Sequence, residues 1–436
     1  MKVYFTFLGC KANRSEQEAW EREIVALGHG LASSPQEADF IVVNTCTVTG
    51  AASHKSRQLI RRMHRLNPKA KIVVTGCYAE IASEEASSIE GVSLVVKNAD
   101  KEFLPQILAG ARAPHALPLL PSPGNTRAFV KIQDGCNNFC TYCIIRIARG
   151  RERSRPIPDI VEEVRKLAEV GYQEVVLTGI HLGGYGRDLG VDLVSLVKAL
   201  LNATPIRRLR LSSLEPWDIP PNFFSLWQDP RLCRHLHLPL QSGCDETLKR
   251  MGRRYTTAQY ARLVEEARSS IPDLAVTTDV MVGFPGETDE EFRQSLEFIE
   301  KMQFARIHVF PYSPRPGTPA ASMKGQVPGR IKRKREKLVA EIGRRSERTF
   351  QSRFLGRTME VLWETPERHG DLYLCSGLTD NYIRVFALSP NPLSNVITPV
   401  RLVALREEKG GDSEEGPERG VWGILEEVKE GQACVS

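Results

Sequence analysis

Cys136, Cys140 and Cys143 stand in the run Gly135-Cys-Asn-Asn-Phe-Cys-Thr-Tyr-Cys-Ile, a C-x3-C-x2-C spacing that supplies three thiolates from one short loop. A 4Fe–4S cluster fully ligated by protein needs four cysteines, so three leave one iron open to a small molecule. A structural zinc closes its tetrahedron with four protein ligands, and no later C-x-x-C completes such a site. The bland alternatives are two zinc ligands with a bystander, or a set of buried thiols. The apolar segment Ala128-Phe-Val-Lys-Ile-Gln reads as a strand, which puts the trio just past a strand end.

A second set is spread along the N-terminal region, in Leu8-Gly-Cys10, Asn44-Thr-Cys46 and Thr75-Gly-Cys77. Each follows an apolar run: Val3-Tyr-Phe-Thr-Phe, Phe40-Ile-Val-Val-Asn and Lys71-Ile-Val-Val-Thr. In an open parallel sheet, ligands bind at the carboxyl ends of the strands, so residues far apart in sequence converge there. One such cysteine would read as a small buried hydrophobe. Three at equivalent strand ends read as a second set of thiolate ligands with a free iron. Cys233, Cys244, Cys375 and Cys434 match no cluster pattern and read as structural.

The elements that must position these groups fall into three segments, as a length of 436 residues suggests. Residues 1–115 alternate strands and helices and read as an open, Rossmann-like parallel α/β sheet. A Pro-rich linker, Ala113 to Gly124, follows. Residues 126–345 offer six strands, the one before the trio and those beginning at Glu174, Arg208, His235, Ala275 and Arg306, which fit a partial (β/α)6 barrel with its chemistry at the strands' C-terminal ends. Residues 353–430 change character. Thr358–Trp363, Tyr382–Phe386, Val400–Leu405 and Trp422–Glu426 read as strands of a small β-barrel, and Glu407–Arg419 as a polar, Gly-rich hairpin insertion.

The net charge of +6 matters less than its distribution. Arg57, Arg61 and Arg65 repeat along a helix whose inner face is Leu59, Ile60, Met63 and Leu66, and a second basic stretch runs from Lys324 to Arg357. A solvated helix face explains either alone; the two together on a cluster-bearing chain point to a phosphate-rich partner. No hydrophobic signal segment is evident and no apolar run approaches the roughly 18 residues that span a bilayer. The expectation is a chain of the reducing cytoplasm, without membrane or disulfides.

The central trio resembles the cysteine loop of the radical S-adenosylmethionine (SAM) enzymes, whose open iron chelates the methionine part of SAM. Phe7-Leu-Gly-Cys-Lys-Ala-Asn13, Asn44-Thr-Cys-Thr-Val-Thr49, Gly76-Cys-Tyr78, Arg149-Gly-Arg-Glu-Arg-Ser-Arg-Pro156, His237-Leu-Pro-Leu-Gln-Ser-Gly243, Val282-Gly-Phe-Pro-Gly-Glu-Thr288 and Phe310-Pro-Tyr-Ser-Pro-Arg-Pro-Gly-Thr318 further resemble the methylthiotransferases, over essentially the whole chain. The C-terminal barrel looks like their TRAM domain. Leu-Gly-Cys-Lys, Asn-Thr-Cys-Thr-Val-Thr and Ser213-Leu-Glu-Pro-Trp-Asp218 are closest to the branch acting on N6-threonylcarbamoyladenosine in tRNA. The branch acting on isopentenyladenosine opens differently, with a Phe-Gly-Cys-Gln-Met-Asn type run. One departure stands out: Arg146-Ile147-Ala148 where the family usually has Pro-Tyr before Ala/Val-Arg-Gly.

The resemblance implies methylthiolation at C2 of adenosine 37. Cys136, Cys140 and Cys143 would hold the 4Fe–4S cluster that binds SAM, whose reductive cleavage yields a 5′-deoxyadenosyl radical. Cys10, Cys46 and Cys77 would hold a second 4Fe–4S cluster carrying the sulfur. By position at strand ends, Gly179, Glu215, Gln241 and Asp279 are candidates for SAM, with Tyr142 near adenine. Each reads equally as loop support. Arg57, Arg61, Arg65 and Arg384 are candidates for RNA, the last on the small barrel beside Tyr382 and Phe386, aromatics that read more readily as core. The implied partners are the tRNA anticodon stem-loop, an electron donor such as flavodoxin or ferredoxin, and a sulfur donor. Three alternatives stay open: the same chemistry on isopentenyladenosine or on a ribosomal-protein aspartate; a cobalamin-dependent radical enzyme, against which stands the lack of an Asp-x-His-x-x-Gly loop; and a non-catalytic iron–sulfur RNA-binding protein.

Overall fold

The computed structural model describes residues 1–110, 126–406 and 419–426. The Pro-rich linker, all but the last residue of the 407–419 insertion, and Cys434 lie outside the described residues. Among the described residues no helix is long and apolar enough to cross a membrane.

The N-terminal sheet has five parallel strands, β1 (Lys2–Phe7), β2 (Gly30–Leu31), β3 (Phe40–Thr45), β4 (Lys71–Gly76) and β5 (Val92–Val95), in the order β2-β1-β3-β4-β5. The central strands β3 and β4 read as apolar runs because both faces are covered: Ile41, Val43, Ile72 and Val74 pack under one helix layer, Val42 and Val73 under the other. The flanking β2 and β5 lie outside the sequence reading, since one is two residues long and the other half exposed. Helices α1 (Lys11–Ala26), α2 (Gly50–Leu66) and α3 (Cys77–Ile81) leave the carboxyl ends of β1, β3 and β4. On α2, Ile60 and Met63 are buried, but Leu66 is exposed and Ser53 and Ser56 complete the inner face instead.

The next strands are β6 (Arg127–Asp134), β7 (Arg153–Ser154), β8 (Glu174–Gly179), β9 (Arg208–Leu211), β10 (His235–His237), β11 (Ala275–Val282) and β12 (Arg306–Pro311). They form sheets β7-β6-β8-β9 and β10-β11-β12, stitched by parallel bridges Leu209–Leu232 and Ser213–His237. Six parallel strands thus make a partial barrel, with Val130, Leu177, Leu209, Leu236, Val276 and Val280 under the outer helices. The opposite face of the same strands carries Lys131, Glu174, Arg210, His237, Thr277 and Asp279, so the lumen is polar. The stretch of β6 that the two-residue β7 leaves unpaired is covered by α1, whose Ser15 Oγ donates to Phe129 O at 2.7 Å and accepts from Lys131 N at 2.9 Å. This satisfies an edge that would otherwise pair with another chain.

The long helix Gly329–Ser352 leads to β13 (Thr358–Trp363), β14 (Glu367–His369), β15 (Leu372–Thr379), β16 (Arg384–Ser389), β17 (Ile397–Leu405) and β18 (Val421–Leu425). Pairing of β13 with both β17 and β15 closes a five-stranded barrel around Val361, Trp363, Val385, Val400 and Leu402, with β14 appended to β15. The strand β15 escapes the sequence reading because Cys-Ser-Gly interrupts its apolar pattern.

Candidate functional site

The strands β1, β3 and β4 are neighbours, so Cys10, Cys46 and Cys77 come together at one sheet edge, each at a strand-to-helix turn. Gly9, at φ +105°, permits this: a Cβ there would sit 2.9 Å from Cys46 Sγ. Gly76, at φ +92°, likewise lies where a Cβ would strike Asn44 and the Thr45 backbone. Asn13 braces the cluster of turns, donating to Leu8 O and Thr45 O while its Oδ1 accepts from Cys10 Sγ at 3.8 Å. Burial pushes the Cys46 thiol up to about 11 and raises that of Cys77.

Cys136, Cys140 and Cys143 occupy the loop between β6 and the short helix Ile145–Arg149. Backbone bonds fix it: Cys136 N to Gly150 O, Cys143 N to Cys140 O and Thr141 N to Met251 O, all within 3.0–3.1 Å. Burial pushes Cys136 up to about 11 and Cys143 to about 12, and raises Cys140. All six cysteines are free. Buried thiols of raised pKa become thiolates on binding a soft cation, and each triad has a guanidinium aimed at one sulfur. Arg149 Nε donates to Cys77 Sγ at 3.3 Å, and Arg253 Nη1 lies 3.7 Å from Cys140 Sγ. N–H donors to thiolate sulfur are the outer support that iron–sulfur clusters use, so the donor set fits two clusters.

Arg149 also ties the two triads together. Its Nη1 donates to Glu16 and Asp134, each at 2.9 Å, and its Nη2 to Asn13 Oδ1 at 2.6 Å. Lys131 and Lys101 bind the same acids, at 2.8 and 2.5 Å from Glu16. Burial alone would raise the Glu16 carboxyl, but Arg149, Lys101 and Lys131 hold it well below the usual range. No local pattern in the sequence marks Arg149, Arg253 or Asn13 for these roles. A second buried group was also missed: His181 stands between Glu152 (2.6 Å) and Asp218 (2.5 Å) beside Cys136. Burial opposes its charge, yet the two carboxylates raise its pKa. Both ring nitrogens are taken, which makes His181 a strut for the cysteine loop rather than a metal ligand.

The residues nominated for SAM are distributed around the barrel mouth. Glu215 pairs with Arg253, which stacks 4.4 Å over Trp217 and so faces Cys140. Gln241 is buried, holds φ +64°, and its Oε1 finds no partner among the described residues. Gly179 packs on Gln133, which a Cβ would approach to 3.1 Å. Asp279 lies deeper, 3.3 Å from His237 Nε2; burial opposes its charge, but His237 lowers its pKa. Tyr142 is wedged edge-on against Phe284, 6.3 Å between centroids.

The basic residues divide. Arg61 and Arg65 are exposed on α2, but Arg57 pairs with Glu85 at 3.3 Å. Arg384 is engaged by Glu364, which also takes Arg127, so it stands in an ion-pair cluster where the two barrels meet. Phe386 is core, and Tyr382 stacks on His235 at 4.5 Å. Along Gly329–Ser352, Arg335 is buried against Glu287, whereas Arg330, Arg333, Lys334 and Arg344 are exposed.

Residues 130–299 match the model of the Radical SAM superfamily, and residues 2–97 that of the Uncharacterized protein family UPF0004. The threonylcarbamoyladenosine tRNA methylthiotransferase MtaB of Bacillus subtilis is 38% identical over 92% of this chain and 93% of its own length. The tRNA-2-methylthio-N(6)-dimethylallyladenosine synthase of Thermotoga petrophila is 35% identical over 86% and 88%. Among solved structures, the cobalamin- and [4Fe–4S]-bound radical SAM methyltransferase TsrM of Kitasatospora setae superposes with a TM-score of 0.53 at 16% identity, covering 73% of this chain and 77% of that one. That likeness concerns the fold. Identity sustained across nearly the full length of both chains is a stronger tie, and by it this chain belongs to the radical SAM tRNA methylthiotransferases, enzymes that use SAM and two 4Fe–4S clusters.

Proposed function

We propose that this chain methylthiolates C2 of N6-threonylcarbamoyladenosine 37 in the anticodon stem-loop of tRNA. In this reading Cys136, Cys140 and Cys143 hold the cluster that binds SAM, and Cys10, Cys46 and Cys77 hold the auxiliary cluster. When bound, these groups would supply a radical that takes the C2 hydrogen and a sulfur atom that, carrying a methyl group from a second SAM, takes its place. The protein's part is placement. Arg149 holds the two cysteine edges at a fixed separation, and Arg253, Glu215 and the unpartnered Gln241 Oε1 offer polar contacts to SAM at the barrel mouth. Electrons come from a flavodoxin- or ferredoxin-like donor, sulfur from a separate donor, and the compartment is the cytoplasm.

The observation that favours threonylcarbamoyl over dimethylallyl adenosine is the polar lumen. His237 accepts or donates at 2.9 Å with Thr277 Oγ1 and faces Asp279 and His308. Burial and then Arg306 push His308 down to about 4, so it is a neutral hydrogen-bonding ring. Lys11, next to Cys10, is near enough for its charge to bear on Asp279, His308 and His235, and forms no ion pair among the described residues. A carbamoyl-threonine carries an amide, a hydroxyl and a carboxylate that such groups satisfy. A dimethylallyl tail would bring no partner for the Lys11 ammonium and would meet a polar wall, which discriminates against it. Nucleoside mass spectrometry of tRNA from cells lacking this protein tests the assignment: 2-methylthio-N6-threonylcarbamoyladenosine disappears. Its persistence, with loss of the dimethylallyl counterpart, moves the chain to the other branch.

A further inference from the structure

Phe139 is the most exposed large hydrophobic side chain among the described residues, at 67%, and Ile147 follows at 52%. Both border the cysteine triads. Phe139 directly precedes Cys140, and Ile147 lies on the helix Ile145–Arg149, whose buried side sends Arg149 to Cys77. Val48, two residues after Cys46, is 48% exposed. The guanidinium of Arg146 stacks 3.8 Å from the Phe139 ring centroid and has no carboxylate partner among the described residues. Ile147 reaches Gly317, where a Cβ would lie 3.2 Å from its Cδ1. From the same loop Arg315 is held by Thr47 and Ser53, with its buried Nε unpartnered.

A substrate carbon that loses hydrogen at one cluster and gains sulfur from the other must lie between the triads, and the Ile145–Arg149 helix links them, following Cys143 directly and sending Arg149 to Cys77. An aromatic ring left to water with a stacked, unpaired guanidinium suits a nucleobase on the π-face and a phosphate on the cation. We propose that Phe139 and Arg146 form a stacking platform for the nucleotide adjacent to the adenosine being modified, with Ile147 and Val48 as its apolar walls. This rests on the tRNA reading above. It also gives Arg146, which stands where relatives of this resemblance carry proline, a role of its own.

The test uses the anaerobically reconstituted holoenzyme and synthetic anticodon stem-loops carrying either threonylcarbamoyl or dimethylallyl adenosine, each with an intact or abasic neighbouring nucleotide. Affinity is measured by fluorescence anisotropy across a salt series. Phe139→Ala weakens binding about 10-fold, and Arg146→Ala weakens it while reducing the salt slope by roughly 0.7 to 1. The abasic loop binds wild type about as weakly as the intact loop binds Phe139→Ala, and the two losses do not add. Phe139→Leu, with iron content as a control, and the abasic loop on wild type keep the test independent of any misfolding of Phe139→Ala. Wild-type affinity and salt slope in Arg146→Ala, together with indifference of wild type to the abasic site, overturn the platform. So does a defect confined to reduction by the electron donor, which would assign this face to a protein partner. A wild-type preference for the dimethylallyl loop that both variants weaken defeats the threonylcarbamoyl assignment and leaves the platform standing.

Discussion

Arg149 and Cys77, 72 positions apart, meet at 3.3 Å between Nε and Sγ. The contact joins the loop that follows one cysteine triad to a member of the other, within a network that also contains Glu16, Asp134, Lys101 and Lys131. Because the Arg149 side chain is fully buried, its removal leaves two carboxylates short of a partner. Breaking a buried pair in this way costs about 3–5 kcal/mol. Arg149→Met is therefore expected to lower the Tm by several degrees. Loss of an N–H donor and a positive charge beside the sulfur also drives the auxiliary cluster to a more negative potential, read by an EPR-monitored redox titration. Arg149→Lys keeps the charge but loses the fork, and falls between. An unchanged potential in Arg149→Met would remove the tuning role and leave only the structural one.

The floor of the partial barrel makes a prediction about acid. Glu174 is fully buried and takes Arg210 at 2.8 Å and Arg127 at 3.0 Å. Arg210 in turn donates to the carbonyls of Asp380 and Thr379 on the C-terminal barrel. Burial would raise the Glu174 carboxyl, but Arg210 and Arg127 hold it at about 2, from an ordinary 4.5. A group whose folded pKa is depressed contributes stability that is whole above the unfolded value and fades as pH falls through the folded one. The contribution, on the order of 3 kcal/mol, is thus present at pH 7 and declines from about 4.5 towards 2. Thermal melts of wild type and Glu174→Gln should be well separated at neutral pH and converge below pH 4. A gap that stays constant across that window would show that the carboxylate charge does not hold the arginines.

What the sequence disclosed, and what it hid, follow from the range of the interactions involved. The runs Phe40-Ile-Val-Val-Asn and Lys71-Ile-Val-Val-Thr announce buried parallel strands because both faces of β3 and β4 meet apolar side chains, a local pattern. The cysteines stand out for the same reason, since a strand-end turn carries each within a few residues. Arg149 does not, because its meaning lies in Glu16 and Asn13, 133 and 136 positions away. Arg384 misleads in the opposite sense. An arginine on a small barrel suggests phosphate; the barrel's own closure brings Glu364 beside it from 20 positions away, and packing against β6 adds Arg127. His181 had a visible cue, a histidine two residues beyond Gly179 at a strand end, but its two carboxylates come from separate loops.

Gln241 sets stability against binding. A non-glycine residue in the left-handed region costs on the order of 1 kcal/mol, and it persists here because β11 pins the backbone: Gln241 N donates to Asp279 O at 2.8 Å and its carbonyl accepts from Met281 N at 2.9 Å. Its buried Oε1 has no partner among the described residues, a deficit that a bound ammonium or hydroxyl of SAM would remove. Gln241→Gly relieves the backbone and deletes the orphan, so its Tm should stay within a few degrees of wild type. If Gln241 contacts SAM as proposed, the same change removes a hydrogen bond to a charged ligand, worth about 1.5–3 kcal/mol, and SAM affinity measured by anaerobic calorimetry should fall at least about tenfold. Gln241→Ala deletes the amide but keeps the strain, so it should lose the same affinity while melting below Gln241→Gly by the equivalent of about 1 kcal/mol. If the glycine variant binds SAM as tightly as wild type, the strained turn serves the β10–β11 junction alone and the ligand contact at this edge of the barrel lies elsewhere.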